Sequence, residues 1–103
     1  MITRECLPSR RAAELFTFEV NGLTYTATAG RHADGRLGEL FLNNHKTNSQ
    51  ADLNARDAAI VFSIAIQFGV DPEIIRRALS RDAKGRATGP LGAALDILAG
   101  PSS

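Results

Sequence analysis

The chain has 103 residues, of which 44% are hydrophobic, and its formal net charge is +1 at neutral pH. This length is typical of one domain with a modest core, and such a domain often gains stability from a partner. High apolar content and low net charge exclude a disordered chain, and the nearly neutral charge argues against a dedicated nucleic-acid binder. Ten of the twelve cations are arginine, which suits bidentate pairing with carboxylate or phosphate.

The sequence contains no recognisable metal, cofactor or membrane signal. Cys6 is the single cysteine, so the chain cannot form an internal disulfide or a cysteine-rich zinc site. His32 and His45 do not stand at a metal-ligand spacing. The longest apolar run, residues 58–66, is too short to span a bilayer, and no secretory signal opens the chain. We expect a cytoplasmic protein without metal or cofactor.

The first half of the domain is predicted to form strands. Asn21-Gly22 separates two β-rich runs, and this pair favours a hairpin because both residues tolerate positive φ. In residues 23–29, apolar side chains alternate with threonines, which are predicted to line the solvent face. A turn at Asp34-Gly35 then leads to a third strand. The pattern predicts a three-stranded antiparallel meander.

A long helix is predicted over residues 51–68, with Ser49 as its N-cap and Gly69 at its end. Apolar residues surround much of its circumference, so we expect a central helix buried on several faces. Ser63 lies within it, and its hydroxyl is expected to bond the preceding turn rather than to act as a nucleophile. The residues predicted to extend the apolar stripe around this helix are Ile60, Val61 and Ile64.

Two shorter helices are predicted next, starting at Asp71-Pro72 and Gly89-Pro90, where proline suits the first helical position. The predicted fold is α+β, with the meander packed against about three helices. The predicted buried stripe of the first short helix is Ile74, Ile75, Ala78 and Leu79. The predicted core anchors of the domain are Phe16, Phe18, Phe41, Phe62 and Ile66.

The polar segment 43–49 joins the third strand to the long helix. Free N–H groups at a helix N-terminus favour an anion, while His45 and Lys46 add positive charge and Thr47 and Ser49 add donors. One interpretation is a nucleotide- or phosphate-binding site made of these four residues. The other is an ordinary loop with Ser49 as a cap, which the lack of phosphate-loop glycine spacing favours.

A second candidate surface is rich in arginine and would contact a protein partner or, weakly, nucleic acid. Acidic residues are interleaved with these arginines and no aromatic platform accompanies them, so a solvated helix face is the favoured interpretation. The arginines of this candidate surface are Arg10, Arg11, Arg76, Arg77 and Arg81. No group of residues predicts a catalytic site, and we expect the protein not to be an enzyme.

Several segments, taken in order, resemble one known module. They are the arm 7–11 (LPSRR), the strand pair around Asn21-Gly22, the segment 34–42 (DGRLGELFL), His45-Lys46, the helix end 63–70 (SIAIQFGV), and Gly89-Pro90. Together they are similar to the TSCPD domain, the C-terminal accessory domain of adenosylcobalamin-dependent (class II) ribonucleotide reductases. The resemblance extends over nearly the whole chain. It divides the chain into an N-terminal arm, 1–12, and a single domain, 13–100.

The resemblance implies a free-standing relative of an accessory domain. A chain of 103 residues cannot hold the catalytic barrel and cobalamin pocket of the reductases, and the cysteine-rich tail that often follows the module is missing. No catalytic residue carries over. We therefore expect a non-catalytic interaction module that binds a protein partner, such as a reductase subunit, or forms a homodimer through the sheet edge or the apolar helix.

Overall fold

The computed structural model describes residues 3–7 and 12–100. This part of the chain forms one antiparallel sheet of three strands in the order β1-β2-β3, followed by three helices. The predicted α+β meander with a helical layer is confirmed. The elements are β1 (Ala12–Val20), β2 (Leu23–Arg31), β3 (Leu37–Asn44), α1 (Gln50–Gln67), α2 (Pro72–Ala78) and α3 (Pro90–Ala99).

The hairpin between β1 and β2 follows from its turn residues. Asn21 and Gly22 have φ of 54° and 74°, which matches the right-handed twist of the flanking strands. The register then pairs Val20 with Leu23 and continues to Ala12 opposite Arg31. The turn thus sets which residues of β1 face the core.

Alternation along the strands separates a core face from a solvent face. Tyr25, Ala27 and Ala29 of β2 are buried and face Leu40 and Leu42 of β3 across the same surface of the sheet. Between those two leucines, Phe41 points outward and is 45% exposed, so its prediction as a core anchor was wrong. The run Leu40-Phe41-Leu42 is apolar throughout. Because successive side chains of a strand point to opposite faces of the sheet, only the two leucines can face the core.

Helix α1 runs along the outer edge of β3. Side chains of the helix form hydrogen bonds with the backbone groups of that strand. Ser63 Oγ accepts from Leu40 N at 2.9 Å and donates to Leu40 O at 3.0 Å. Gln67 Nε2 donates to Gly38 O at 3.0 Å, and Asp52 Oδ1 accepts from Asn44 N at 2.9 Å. The predicted bond of Ser63 to its own helix was wrong, because the strand edge supplies a better-placed pair of groups.

The helical layer covers less of α1 than the sequence predicted. Phe62 is 2% exposed against the sheet, but Val61 is 67% exposed and its neighbours on the outer face are also open, so the prediction of burial on several faces was wrong. In α2, Ile75 packs against the core while Ile74 is 65% exposed. Two short helices cannot surround an 18-residue one.

Candidate functional site

The junction of residues 43–49 is built around a carboxylate that belongs to the protein itself. Asp52 is 1% exposed and accepts hydrogen bonds from Asn44 N and Asn48 N, each at 2.9 Å. The backbone donors Asn48 and Asn44 hold the pKa of Asp52 below its usual range, and the Arg56 guanidinium at 3.9 Å assists. Asp52 therefore binds two N–H groups of the segment that precedes α1 with a carboxylate of the protein itself.

The four residues predicted for the anion site are neighbours in this loop, where Ser49 and the backbone of Lys46 bond within the loop, and anion binding by the four stays a prediction. Ser49 is the N-cap, accepting from Asp52 N at 3.1 Å and donating its own hydroxyl to Lys46 O at 2.7 Å. The backbone N–H of Lys46 donates to Asn44 Oδ1 at 2.8 Å. His45 Nε2 lies 3.1 Å from Thr26 Oγ1, on the solvent face of the sheet. Thr47 is exposed.

The described members of the predicted arginine surface are all paired with carboxylates. Arg76 and Arg81 both bind Asp96 of α3, at 3.0 Å and 2.7 Å, and the Arg81 hydrogen bond is the main cause of the lowered pKa of Asp96. Arg76 also pairs with Glu73. Arg77 is 77% exposed, and its Nε lies 3.4 Å from Glu73 Oε1. Arg10 and Arg11 lie outside the described residues. The half-buried pairs of Arg76 and Arg81 with Asp96 tie α2 to α3, and the role of these arginines in binding a partner stays a prediction.

The described part of the N-terminal arm packs onto the sheet through two glycines. A Cβ added to Gly30 would lie 2.7 Å from Leu7 Cδ1, and one added to Gly38 would lie 2.6 Å from Leu7 Cδ2. Both glycines are buried, and no other residue leaves space for the leucine at such close approach. The second glycine of the DGRLGELFL segment, Gly38, therefore provides the space in which Leu7 of the arm packs.

Gln67 and Arg36 fix the same arm by hydrogen bonds. The backbone N–H of Glu5 donates to Gln67 O at 2.7 Å, and Gln67 Oε1 accepts from Arg4 Nε. Arg36 donates to both carboxylate oxygens of Glu5, at 2.9 Å and 3.2 Å, and to Asp34 Oδ2 at 2.6 Å. The Arg36 hydrogen bond is the main cause that lowers the pKa of Glu5 and of Asp34. The motif residues thus hold the described part of the arm against the sheet and α1.

A cleft of about 500 Å³ opens beside the docked arm, between the β2–β3 turn and the ends of the three helices. Its walls combine apolar side chains such as Ile66 and Leu98 with the charged groups Arg36, Glu73 and Arg76. Each of these three charged groups already has an opposite charge as its partner. The cleft therefore presents compensated ion pairs rather than an open cation for an anionic ligand.

The sequence did not predict how exposed one apolar surface of α1 is. We call this surface the outer stripe and define it as Leu53, Ile60, Val61 and Ile64 on the outer face of α1 together with Phe68 at its C-cap. Their exposed fractions are 42%, 49%, 67%, 38% and 41%. Helical spacing places them on one side, and several exposed apolar residues on one face are typical of an interaction surface. The signal in the sequence was the all-round apolar character of this helix, which we interpreted as burial on several faces and as one of two candidate surfaces for a homodimer.

Within residues 3–7 and 12–100, no group of three or more His, Cys, Asp or Glu side chains is arranged to hold a metal ion. In the same part of the chain, none of the helices has the length and apolar character needed to cross a bilayer. Cys6 is exposed and free.

Two curated proteins are similar to the chain, the vitamin B12-dependent ribonucleotide reductases of Agrobacterium fabrum and Bradyrhizobium diazoefficiens. Each is 34% identical to it over 70 residues, which is 68% of this chain and 6% of the reductase. The chain therefore spans only a small part of the curated relatives it matches. No protein-family profile matches the chain, and no solved structure matches it. The similarity relates the chain to a small region of a B12-dependent ribonucleotide reductase.

Proposed function

We propose that the protein is a non-catalytic accessory module of the TSCPD type, which acts by binding a protein partner or by self-association. The observation that carries the proposal is the extent of the similarity: it covers 68% of this chain but 6% of each reductase. A module of that size contributes a small surface to a much larger protein. The docked arm and the paired charges of the cleft fit a structural role for the motif residues.

The outer stripe of α1 is the surface that best suits a partner. Its centre, Ile60, Val61 and Ile64, is apolar and lies in the middle of an 18-residue helix. In a relative where this module is one part of a long polypeptide, the remaining polypeptide is available to cover such a face. We therefore propose a vitamin B12-dependent ribonucleotide reductase, or a subunit related to it, as the partner that the stripe contacts.

Direct binding tests this proposal with a matched pair of variants. The chain is immobilised and titrated with the purified reductase of Agrobacterium fabrum, and the Kd is measured by interferometry. Val61→Lys places a charge in the outer stripe, and Phe41→Lys places one on the opposite surface, at the solvent face of the sheet. We expect saturable binding that Val61→Lys weakens at least about tenfold, or about 1.4 kcal/mol, and that Phe41→Lys leaves unchanged.

Absence of binding by the unmodified chain would contradict the reductase as partner. Equal loss of affinity in both variants would instead contradict the assignment to the outer stripe. Circular dichroism of each variant checks that the lysine has not unfolded the domain, since both positions are exposed.

A further inference from the structure

We propose that two copies of this chain pair through the outer edge of β1 and form a continuous six-stranded antiparallel sheet. The inference rests on the self-association part of the proposed function and gives it a surface. It leaves the outer stripe of α1 free for a different partner.

The outer edge of β1 carries a row of backbone groups without a partner in the described chain. In an antiparallel pair, residues alternate between those that bond the neighbouring strand and those that point away from it. The two-residue turn at Asn21-Gly22 makes Val20 and Leu23 a bonded pair, so the outward residues are the odd-numbered ones. No hydrogen bond joins their N–H and C=O groups to any other described residue. The outward residues are Ala13, Leu15, Thr17 and Glu19.

The opposite edge of the sheet, formed by β3, is covered by α1, so the two edges of the sheet differ. Along β3, the side chains of Asp52, Ser63 and Gln67 bond the outward groups of three residues. A sheet with unprotected edge strands pairs readily with another strand, and proteins usually block such edges with lysine, proline, bulges or a covering element. In this fold one edge is covered by α1, and the described length of the other has no lysine, proline, bulge or covering element, its only charged side chains being Glu14 and Glu19.

The composition of β1 favours pairing. Its nine residues, AAELFTFEV, contain no proline and no cation. Of its two carboxylates, Glu14 is already paired with Arg31 at 2.5 Å. Leu15 is 72% exposed, an apolar side chain that edge pairing would cover. The strand thus offers β-branched and aromatic residues with little charge to oppose association.

Antiparallel pairing of β1 with itself has a register that separates the like charges. With the two-fold axis at Phe16, Leu15 faces Thr17 of the second copy, and Glu19 faces Ala13. On the other surface of the sheet, Glu14 faces Phe18. No glutamate then stands opposite another, so the repulsion that like charges cause in a cross-strand pair is avoided.

This arrangement also brings apolar surface together beside the edge. A two-fold axis perpendicular to the sheet keeps the helical layers of both copies on the same side. Phe16 packs against Phe18 with ring centroids 5.9 Å apart and would meet its own symmetry mate at the axis. A cleft of about 580 Å³ between β1 and α3 is lined by Val20 and Ile97, and Ile97 is 49% exposed. The second copy is placed to cover part of this cleft.

Sedimentation equilibrium tests the pairing with two edge variants. Thr17→Pro removes an outward N–H, and Leu15→Lys places a cation on the edge, a device that natural edge strands use against pairing. The unmodified chain is expected to sediment at twice the 11.0 kDa mass of one chain. Both variants are expected to sediment as monomers with an unchanged circular dichroism spectrum, and Leu15→Lys suffices should the proline prevent folding.

Phe41→Lys is the matched control, because Phe41 lies on the same solvent face as Leu15 in the register but on the other edge strand. It should remain a dimer. A monomeric unmodified chain, or a dimer that both edge variants leave intact, would overturn the inference. A dimer lost in Val61→Lys but retained in Leu15→Lys would overturn it too, by assigning the interface to the outer stripe.

Hydrogen exchange gives the register residue by residue. In the dimer the amides of Leu15 and Thr17 should be protected, and in the Leu15→Lys monomer the amide at Thr17 should exchange fast, while Phe16 and Phe18 remain protected in both. Reductase binding is measured separately. A monomer that binds the reductase would contradict this inference and support the proposed partner. A dimer that does not bind the reductase would support this inference and contradict the proposed partner.

Discussion

Asp52 shows how one side chain decides the chemistry of the strand-to-helix junction. The sequence left two interpretations of segment 43–49, an anion site and an ordinary loop with Ser49 as the cap. In the structure, Asp52 accepts hydrogen bonds from Asn44 N and Asn48 N, each at 2.9 Å. The spacing of Ser49 and Asp52 resembles a capping box, so the sequence indicated a carboxylate that folds back toward the helix start, but it could not show that this carboxylate also bonds Asn44 of β3.

The lowered pKa of Asp52 predicts an acid-dependent loss of stability. A carboxyl whose pKa is depressed by folding stabilises the native state above its unfolded pKa, and this contribution is lost as the pH falls through the folded pKa. In Asp52→Asn, the side-chain NH₂ group would face one of the two backbone donors, so we expect a lower Tm at about pH 7. Because asparagine does not titrate, we also expect a smaller change of Tm below about pH 4. Thermal melts across pH check this, and a parallel pH profile in both proteins would contradict it.

The contact between Leu7 and Gly38 predicts coupling between the arm and the sheet. A Cβ at position 38 would lie 2.6 Å from Leu7 Cδ2, so Gly38→Ala should displace the arm and cost about 1–3 kcal/mol of unfolding free energy. In a Leu7→Ala background the same change should cost less, because the clash is gone. A double-mutant cycle from urea unfolding measures this coupling, and strictly additive costs would show that the arm is not seated there.

At the scale of elements, α1 acts as the cover of a sheet edge. Three of its polar residues, Asp52, Ser63 and Gln67, bond the backbone groups of β3 that point away from β2. Sequence periodicity predicted this helix and its limits, with Ser49 as the cap. It could not show which side faces the sheet, because apolar residues lie on both sides and only the packing distinguishes a core stripe from an exposed one.

Removing the Ser63 hydroxyl tests this role of α1. Ser63→Ala leaves both Leu40 N and Leu40 O without that partner in a site where Ser63 is only 8% exposed. We expect a loss of about 1–3 kcal/mol in the free energy of unfolding. Asn54→Ala, at an exposed position of the same helix, should change it little. Urea unfolding compares the two, and equal losses would mean that the edge bonds are not what Ser63 contributes.

At the scale of the whole molecule, the fold class, the turns and the helix starts were predictable because they depend on local chemistry. Asn21-Gly22 and Asp71-Pro72 each determine a local structure within a few residues. Burial was less predictable in this small domain. Phe41 and Ile74 are apolar and regularly spaced, but three strands and three helices do not have enough interior surface to cover them.

The small core makes the molecule sensitive to loss of its central aromatic. Phe62 is 2% exposed and joins α1 to the sheet. Phe62→Ala should cost about 3–5 kcal/mol, which is most of the stability of a typical small domain. Phe68→Ala, at the exposed C-cap of the same helix, should cost much less. An unchanged Tm for Phe62→Ala in calorimetry would contradict the assigned core.

Docking of the outer stripe of α1 onto a ribonucleotide reductase is the interaction on which the proposed function depends most. Methyl NMR of the chain, labelled at isoleucine and valine and titrated with the purified vitamin B12-dependent reductase of Agrobacterium fabrum, tests it most directly. We predict that the methyl signals of Ile60, Val61 and Ile64 broaden or shift while that of Ile75, packed against the core, stays in place at low saturation. A titration that leaves the three stripe residues unchanged would contradict the claim.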